Sequence, residues 1–271
     1  MHQSVRHASR PLRSTVPFLL TGANAAAGVA ALALLAACIA GHGRTLIERV
    51  DEILLLLGLA MLCDAADGPA ARALAVESKL GQKGDAAADA VSFGAVPALL
   101  IIAVASQSDA AVWMHALTAS AAVGYAASAW ARLWRFQSDQ WQQEGHGFFG
   151  LPTPAATLLV ASCVMWMTRG LAPGQPFPSS GMAASGAVAL AAGVLMLGPW
   201  RYPHPARWLA TRPSSLPWWF ALAALWVAWA AFQPGLAAIA AMIAYAGIGP
   251  LRWLFDRVVA DPLRSVKHGS A

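Results

Sequence analysis

Four aspartates, Asp64, Asp67, Asp85 and Asp89, stand at fixed spacing in a chain that otherwise reads as lipid-soluble. They lie in CDAADGPAARALAVESKLGQKGDAAAD, a D-x2-D-G-x2-A-R-x8-G-x3-D-x3-D pattern. Asp64 and Asp67 are spaced i, i+3, and Asp85 and Asp89 i, i+4, so on helices each pair shares one face. A connecting hairpin can bring the two faces together. A carboxylate at membrane depth costs roughly 2.5–3.5 kcal/mol, so four of them require a compensating cation. An all-oxygen donor set suits hard divalent ions such as Mg²⁺ or Mn²⁺, and four carboxylates have room for two ions. Zinc would call for His or Cys, and the nearest such residue is the single Cys63. A two-ion clamp fits displacement at phosphorus.

Small residues flank the carboxylates. Gly68 and Ala71 follow the first pair, and Gly81 precedes the second by one turn. Such positions let a bulky phosphate or nucleotide approach the backbone. Arg72 adds a forked donor for phosphate or carboxylate. Arg72, Lys79 and Lys83 are too few to neutralise the cluster as plain ion pairs. An ion or proton pathway, as in a transporter, also uses intramembrane carboxylates and stays open on spacing alone.

The elements that must carry these residues follow from composition. Of 271 residues, 58% are hydrophobic and 11% charged, against about 25% charged in a soluble domain. Crossing the hydrocarbon core takes about 20 apolar residues. Eight stretches qualify, at about 16–40, 50–72, 85–106, 110–134, 152–171, 181–200, 215–232 and 234–255. Strand alternation is absent, which argues against a β-barrel. The expectation is one all-α membrane domain over 1–271: a polytopic bundle of about eight transmembrane helices, with basic tails at 1–15 and 257–271. All of the 18 Lys and Arg except Arg44, Arg49 and Arg169 then fall on the side of the termini. By the positive-inside rule both termini are cytoplasmic. The net charge of +5 thus reflects topology and attraction to lipid headgroups, not nucleic acid. Cys38, Cys63 and Cys163 lie in apolar segments without C-x-x-C spacing and read as packed thiols. The run ending LAAC at Cys38 reads as a packed first helix rather than a leader, given its length, Asn24 and Gly28.

The aspartate segment resembles the signature of the CDP-alcohol phosphatidyltransferase family, with every fixed position present. Further blocks are similar to the bacterial type II phosphatidylserine synthases of that family. These are TGANAAAG at 21–28, DAVSFGAVPALL at 89–100, ARLWRF at 131–136, GFFGLPTPAA at 147–156 and LGPWRYPHP at 197–205. The family's usual LDSLAD is GDAAAD at 84–89, and its Asn after RF is Gln137. Both departures leave the ligand positions intact.

The resemblance implies a dinuclear Mg²⁺ or Mn²⁺ site on Asp64, Asp67, Asp85 and Asp89, with Asp89 as the base. It implies CDP-diacylglycerol as donor, bound along Gly68, Ala71, Arg72 and Gly81, with L-serine as acceptor and release of CMP. Arg132 and Arg135, one turn apart, are candidates for the serine carboxylate or a donor phosphate. Glycerol 3-phosphate, inositol phosphate or choline are alternative acceptors. The resemblance also implies a homodimer in the bacterial inner membrane, with its site facing the cytoplasm. Ser92, Phe93, Gly94, Gly150, Leu151, Pro152 and Pro154 read mainly as packing and turn residues. His146 reads as a loop histidine. Trp200, Trp208, Trp218, Trp219 and Trp253 read as interfacial anchors.

Overall fold

A computed structural model describes residues 10–74, 79–137, 148–202 and 233–260. Within them the chain is helical apart from short connections. The elements are α1 (Arg10–Ile39), α2 (Leu46–Leu74), α3 (Lys79–Asp89), a π turn (Ala90–Ala95), α4 (Val96–Ser106), α5 (Val112–Gln137), α6 (Thr153–Thr168), α7 (Ser179–Leu197) and α8 (Pro234–Phe255). Two-residue strands, β1 (Phe148–Phe149) and β2 (Arg201–Tyr202), pair antiparallel and tie the start of α6 to the end of α7. Among the described residues, four helical stretches are long and apolar enough to cross a membrane: Thr15–Ile39, Gly81–Ser106, Ser179–Leu197 and Gly235–Val258. The expected seventh span, 215–232, lies outside the described residues.

The third rod differs from the sequence reading. It was expected to begin at 85, but helix starts at Lys79, so Asp85 sits nearly two turns inside it. The polar KLGQKG segment supplies those turns; its one large apolar residue, Leu80, is too little to set up an apolar period.

That rod, α3 through α4, is the central element. It packs against α1 on one side and against α5, α6 and α7 on the other, while α1 and α2 lie along each other. One apolar cluster joins Leu35, Ile53, Leu57, Leu100 and Val164. A second joins Ile101, Tyr125, Leu159, Tyr202 and Ala246. A third, small cluster of Ala27, Ala60 and Phe93 lies where α1 and α2 meet the π turn.

The π turn has a sequence cause. Pro97 has no N–H for the Phe93 carbonyl one α-turn earlier, and its ring crowds that carbonyl. The carbonyl is taken up by the Tyr125 hydroxyl at 3.1 Å and the Thr157 hydroxyl at 3.1 Å. Both donors are fully buried, on α5 and α6. The same solution recurs in α8: Pro250 leaves the Ala246 carbonyl without its helical donor, and the Tyr202 hydroxyl donates to it at 2.8 Å. The backbone defect thus becomes a joint between helices.

Two glycines are required by close approach. A Cβ on Gly28 would lie 2.3 Å from Ser92 Oγ and 3.1 Å from Ser92 Cα, so only glycine lets α1 touch the π turn. Gly150 has φ +72, and a Cβ there would meet the Met196 carbonyl oxygen at 2.0 Å. It is the bend that turns β1 into α6.

If Tyr125 and Thr157 share the Phe93 carbonyl, either alone satisfies it. Tyr125→Phe and Thr157→Val are each expected to lower stability by about 1 kcal/mol. The double variant should lose more than the sum, because it strands a buried carbonyl at about 1–3 kcal/mol. Thermal unfolding of the four proteins in detergent checks this; strict additivity would contradict it.

Candidate metal centre

The two acidic pairs do converge. Asp64 on α2 and Asp85 and Asp89 on α3 each offer one carboxylate oxygen within 4.8 Å of the others. Each of the three is half-buried. Helical spacing accounts for the pairing on each rod. The convergence between rods comes from α1, which packs against both α2 and α3.

Asp67 stands a little apart from that group. It is buried, and its carboxylate accepts a hydrogen bond from the Thr21 hydroxyl of α1. One turn further along α1, the Asn24 side-chain amide donates to Asp89 Oδ1 at 3.0 Å. Asn24 is fully buried, and its backbone carbonyl accepts from Ser92 Oγ at 3.1 Å. A buried Asp85 oxygen, Oδ1, has no hydrogen-bond partner among the described residues.

Among the described residues, the basic group within electrostatic reach of Asp89 is Arg132 on α5. Among the described residues the ion pairs are Arg44–Glu52, Arg49–Glu52 and Arg169–Asp51. All three gather at the start of α2, about 20 Å along the helix from Asp64. None of these three pairs involves Asp64, Asp85 or Asp89. Three converging carboxylates with an orphaned buried oxygen fit a hard divalent cation. The all-oxygen set of Asp64, Asp85 and Asp89, with Asp67 adjacent, would hold it.

The other expected residues are distributed as follows. Gly68 and Ala71 are half-buried on α2 just beyond the first pair, and Gly81 is exposed in the first turn of α3. The side chain of Arg72 and the whole of His146 lie outside the described residues. Arg132 is buried on α5, donates to Thr153 Oγ1 at 2.8 Å and lies within electrostatic reach of Asp89 and Tyr245. Arg135 is exposed and reaches the Leu197 carbonyl at the end of α7 at 3.4 Å. The two arginines, one turn apart in sequence, therefore occupy different environments. Ser92, Phe93 and Gly94 are buried in the π turn and serve the joint described above. Sequence reading gave no site role to Thr21, Asn24 or Tyr245. For the first two the signal was present: a polar i, i+3 pair on the face of an otherwise apolar span.

A model of CDP-alcohol phosphatidyltransferases matches residues 14–200. The chain belongs to that family. Its acidic cluster agrees with the divalent-metal dependence of these enzymes. The four membrane-capable helices place it among integral membrane proteins. Over 110 residues it is 33% identical to a CDP-diacylglycerol–serine O-phosphatidyltransferase of Mycobacterium leprae, covering 39% of this chain and 35% of that protein. It is 30% identical over 110 residues to the protein of the same name from Helicobacter pylori strain J99, covering 41% of this chain and 44% of that one. The matched segment thus spans well under half the length of either relative.

Removing a ligand should be visible without turnover. Asp64→Ala and Asp85→Ala are each expected to weaken Mn²⁺ binding by at least ~10-fold. Titration of purified protein, followed by the electron paramagnetic resonance signal of free Mn²⁺, measures it. Unaltered binding in both variants would remove them as ligands.

Proposed function

We propose that the protein transfers the phosphatidyl group of CDP-diacylglycerol to the hydroxyl of L-serine, giving phosphatidylserine and CMP. The observation that carries this reading is the convergence of Asp64, Asp85 and Asp89 from two helices within the family's intact signature. The names of the two relatives favour serine among possible acceptors.

Asp64, Asp67, Asp85 and Asp89 would hold Mg²⁺ or Mn²⁺, two ions fitting the four carboxylates, which would neutralise charge on the pyrophosphate and on departing CMP. Asp89, fixed by Asn24, accepts the proton of the serine hydroxyl. The serine oxygen forms the new bond to the lipid-side phosphorus as the bond to the CMP oxygen breaks. Gly68, Ala71 and Gly81 leave room for the donor, and Arg72 supplies it a forked cation. No protein nucleophile takes part; Cys63, beside Asp64, is buried.

The membrane arrangement belongs to the same proposal. Eight spans put both termini, and the aspartates, on the cytoplasmic side of a bacterial inner membrane. The three basic residues assigned to the opposite side, Arg44, Arg49 and Arg169, support this: all are ion-paired at the end of the bundle far from the aspartates. Donor tails then stay in the bilayer while serine arrives from the cytosol. A homodimer is proposed on the family resemblance.

Exposed Arg135 is the better placed of the two arginines to meet a free amino acid, whereas buried Arg132 is engaged with Thr153. Arg135→Ala is expected to raise the KM for serine about 10-fold, with the KM for CDP-diacylglycerol changed less than about 3-fold. Equal or reversed effects would reassign it to the lipid phosphate or to packing.

The deciding experiment is an acceptor panel with purified protein in detergent, with and without Mg²⁺ or Mn²⁺. CMP release should require the metal and serine, and Asp89→Asn should lower it at least ~100-fold. Release driven instead by glycerol 3-phosphate, inositol phosphate or choline would overturn the serine assignment. Metal-dependent transport without CMP release would overturn the enzyme.

A further inference from the structure

Thr21 and Asn24 lie one turn apart on the same face of α1, and each holds a carboxylate from a different acidic rod. Thr21 donates to Asp67 on α2. Asn24 donates to Asp89 on α3. We propose that α1 is the positioning element of the metal centre, with Thr21 and Asn24 aiming one carboxylate of each pair toward the bound cation. This rests on the metal-centre reading given above.

Three observations carry it. First, the hydrogen bonds divide the four aspartates evenly. Asp67 and Asp89 are held by α1, while Asp85 retains a buried oxygen with no partner among the described residues. A bond to one oxygen of a carboxylate fixes its rotamer and leaves the other oxygen for a ligand. Second, Asn24 is fully buried, and its own Oδ1 is unpartnered among the described residues. A buried half-satisfied amide is unfavourable, and an apolar side chain would pack that position without it. Its placement is explained by what its nitrogen holds.

Third, α1 is itself pinned in register. Gly28 lets it touch Ser92, and Ser92 Oγ donates to the carbonyl of Asn24 itself. Ser92 is in the π turn three residues after Asp89. The clamp and the carboxylate it aims are therefore fixed to each other through both backbone and side chain. Neither residue touches the reacting atoms, so both are positioning residues.

The test is Mn²⁺ binding to the full chain purified in detergent, read by electron paramagnetic resonance, on Thr21→Val, Asn24→Leu and Asn24→Ser. Thr21→Val keeps shape and removes only the hydroxyl. Asn24→Ser covers the case in which leucine does not fit. Monodisperse elution and a cooperative thermal transition identify the folded variants. Thr21→Val and the folded Asn24 variants are expected to bind Mn²⁺ about 10–100-fold more weakly than wild type. Binding within about twofold of wild type in Thr21→Val, or in a folded Asn24 variant, overturns the proposal while leaving the metal centre standing. Failure of the wild-type protein itself to bind Mn²⁺ would overturn the metal reading, and this inference with it.

Discussion

Carboxylates gathered among apolar helices, with Arg132 on α5 within electrostatic reach of one of them, set the terms for this molecule. Each costs a few kcal/mol at membrane depth. Asp64, Asp85 and Asp89 nevertheless converge to within 4.8 Å. Like charges that close repel, and burial deepens the penalty. Such a cluster persists only where the surrounding fold holds it and a cation offsets it. The family to which the chain belongs uses divalent metals, so the least favourable feature of the sequence is the one with the clearest use.

The restraint comes from helices that depart from ideal geometry. Pro97 interrupts the hydrogen-bond ladder of the central rod at the π turn that follows Asp89, and Tyr125 and Thr157 capture the released Phe93 carbonyl. Gly28 brings α1 against the resulting π turn. Without that approach Asn24 would not reach Asp89. A straight rod and a bulkier first helix would keep every aspartate in the sequence and lose their mutual geometry. Local backbone defects are thus stabilised by buried hydroxyls in a setting where no water is at hand to satisfy them.

Polarity is divided along the bundle. At the start of α2, exposed Arg44 and Arg169 and half-buried Arg49 meet Asp51 and Glu52 in ordinary surface ion pairs. Such pairs contribute little to stability. Near the other end of α2, Asp64 converges instead with Asp85 and Asp89. The proposed reaction exploits that asymmetry, because its donor is both anionic and anchored in lipid. A cation-lined site would bind the donor's phosphates unaided, whereas an acidic one makes binding conditional on metal.

The sequence alone determined the acidic signature, the helical membrane class and the family. These depend on residue type and spacing, and helical periodicity converts spacing directly into a shared face. It also carried, unread, the polar pair Thr21 and Asn24. Tertiary structure decided which residues of different helices meet. It brought Asp64 to Asp85 and Asp89, bound Asp67 and Asp89 to α1, buried Arg132 against Thr153 and left Arg135 exposed. It also turned 90–95 into a π turn and began the third rod at Lys79. Such outcomes depend on how far two helix axes approach and how each is rotated. Those quantities arise from packing across the bundle, at positions like Gly28 and Ser92 that are distant in the chain and have no local pattern to announce them.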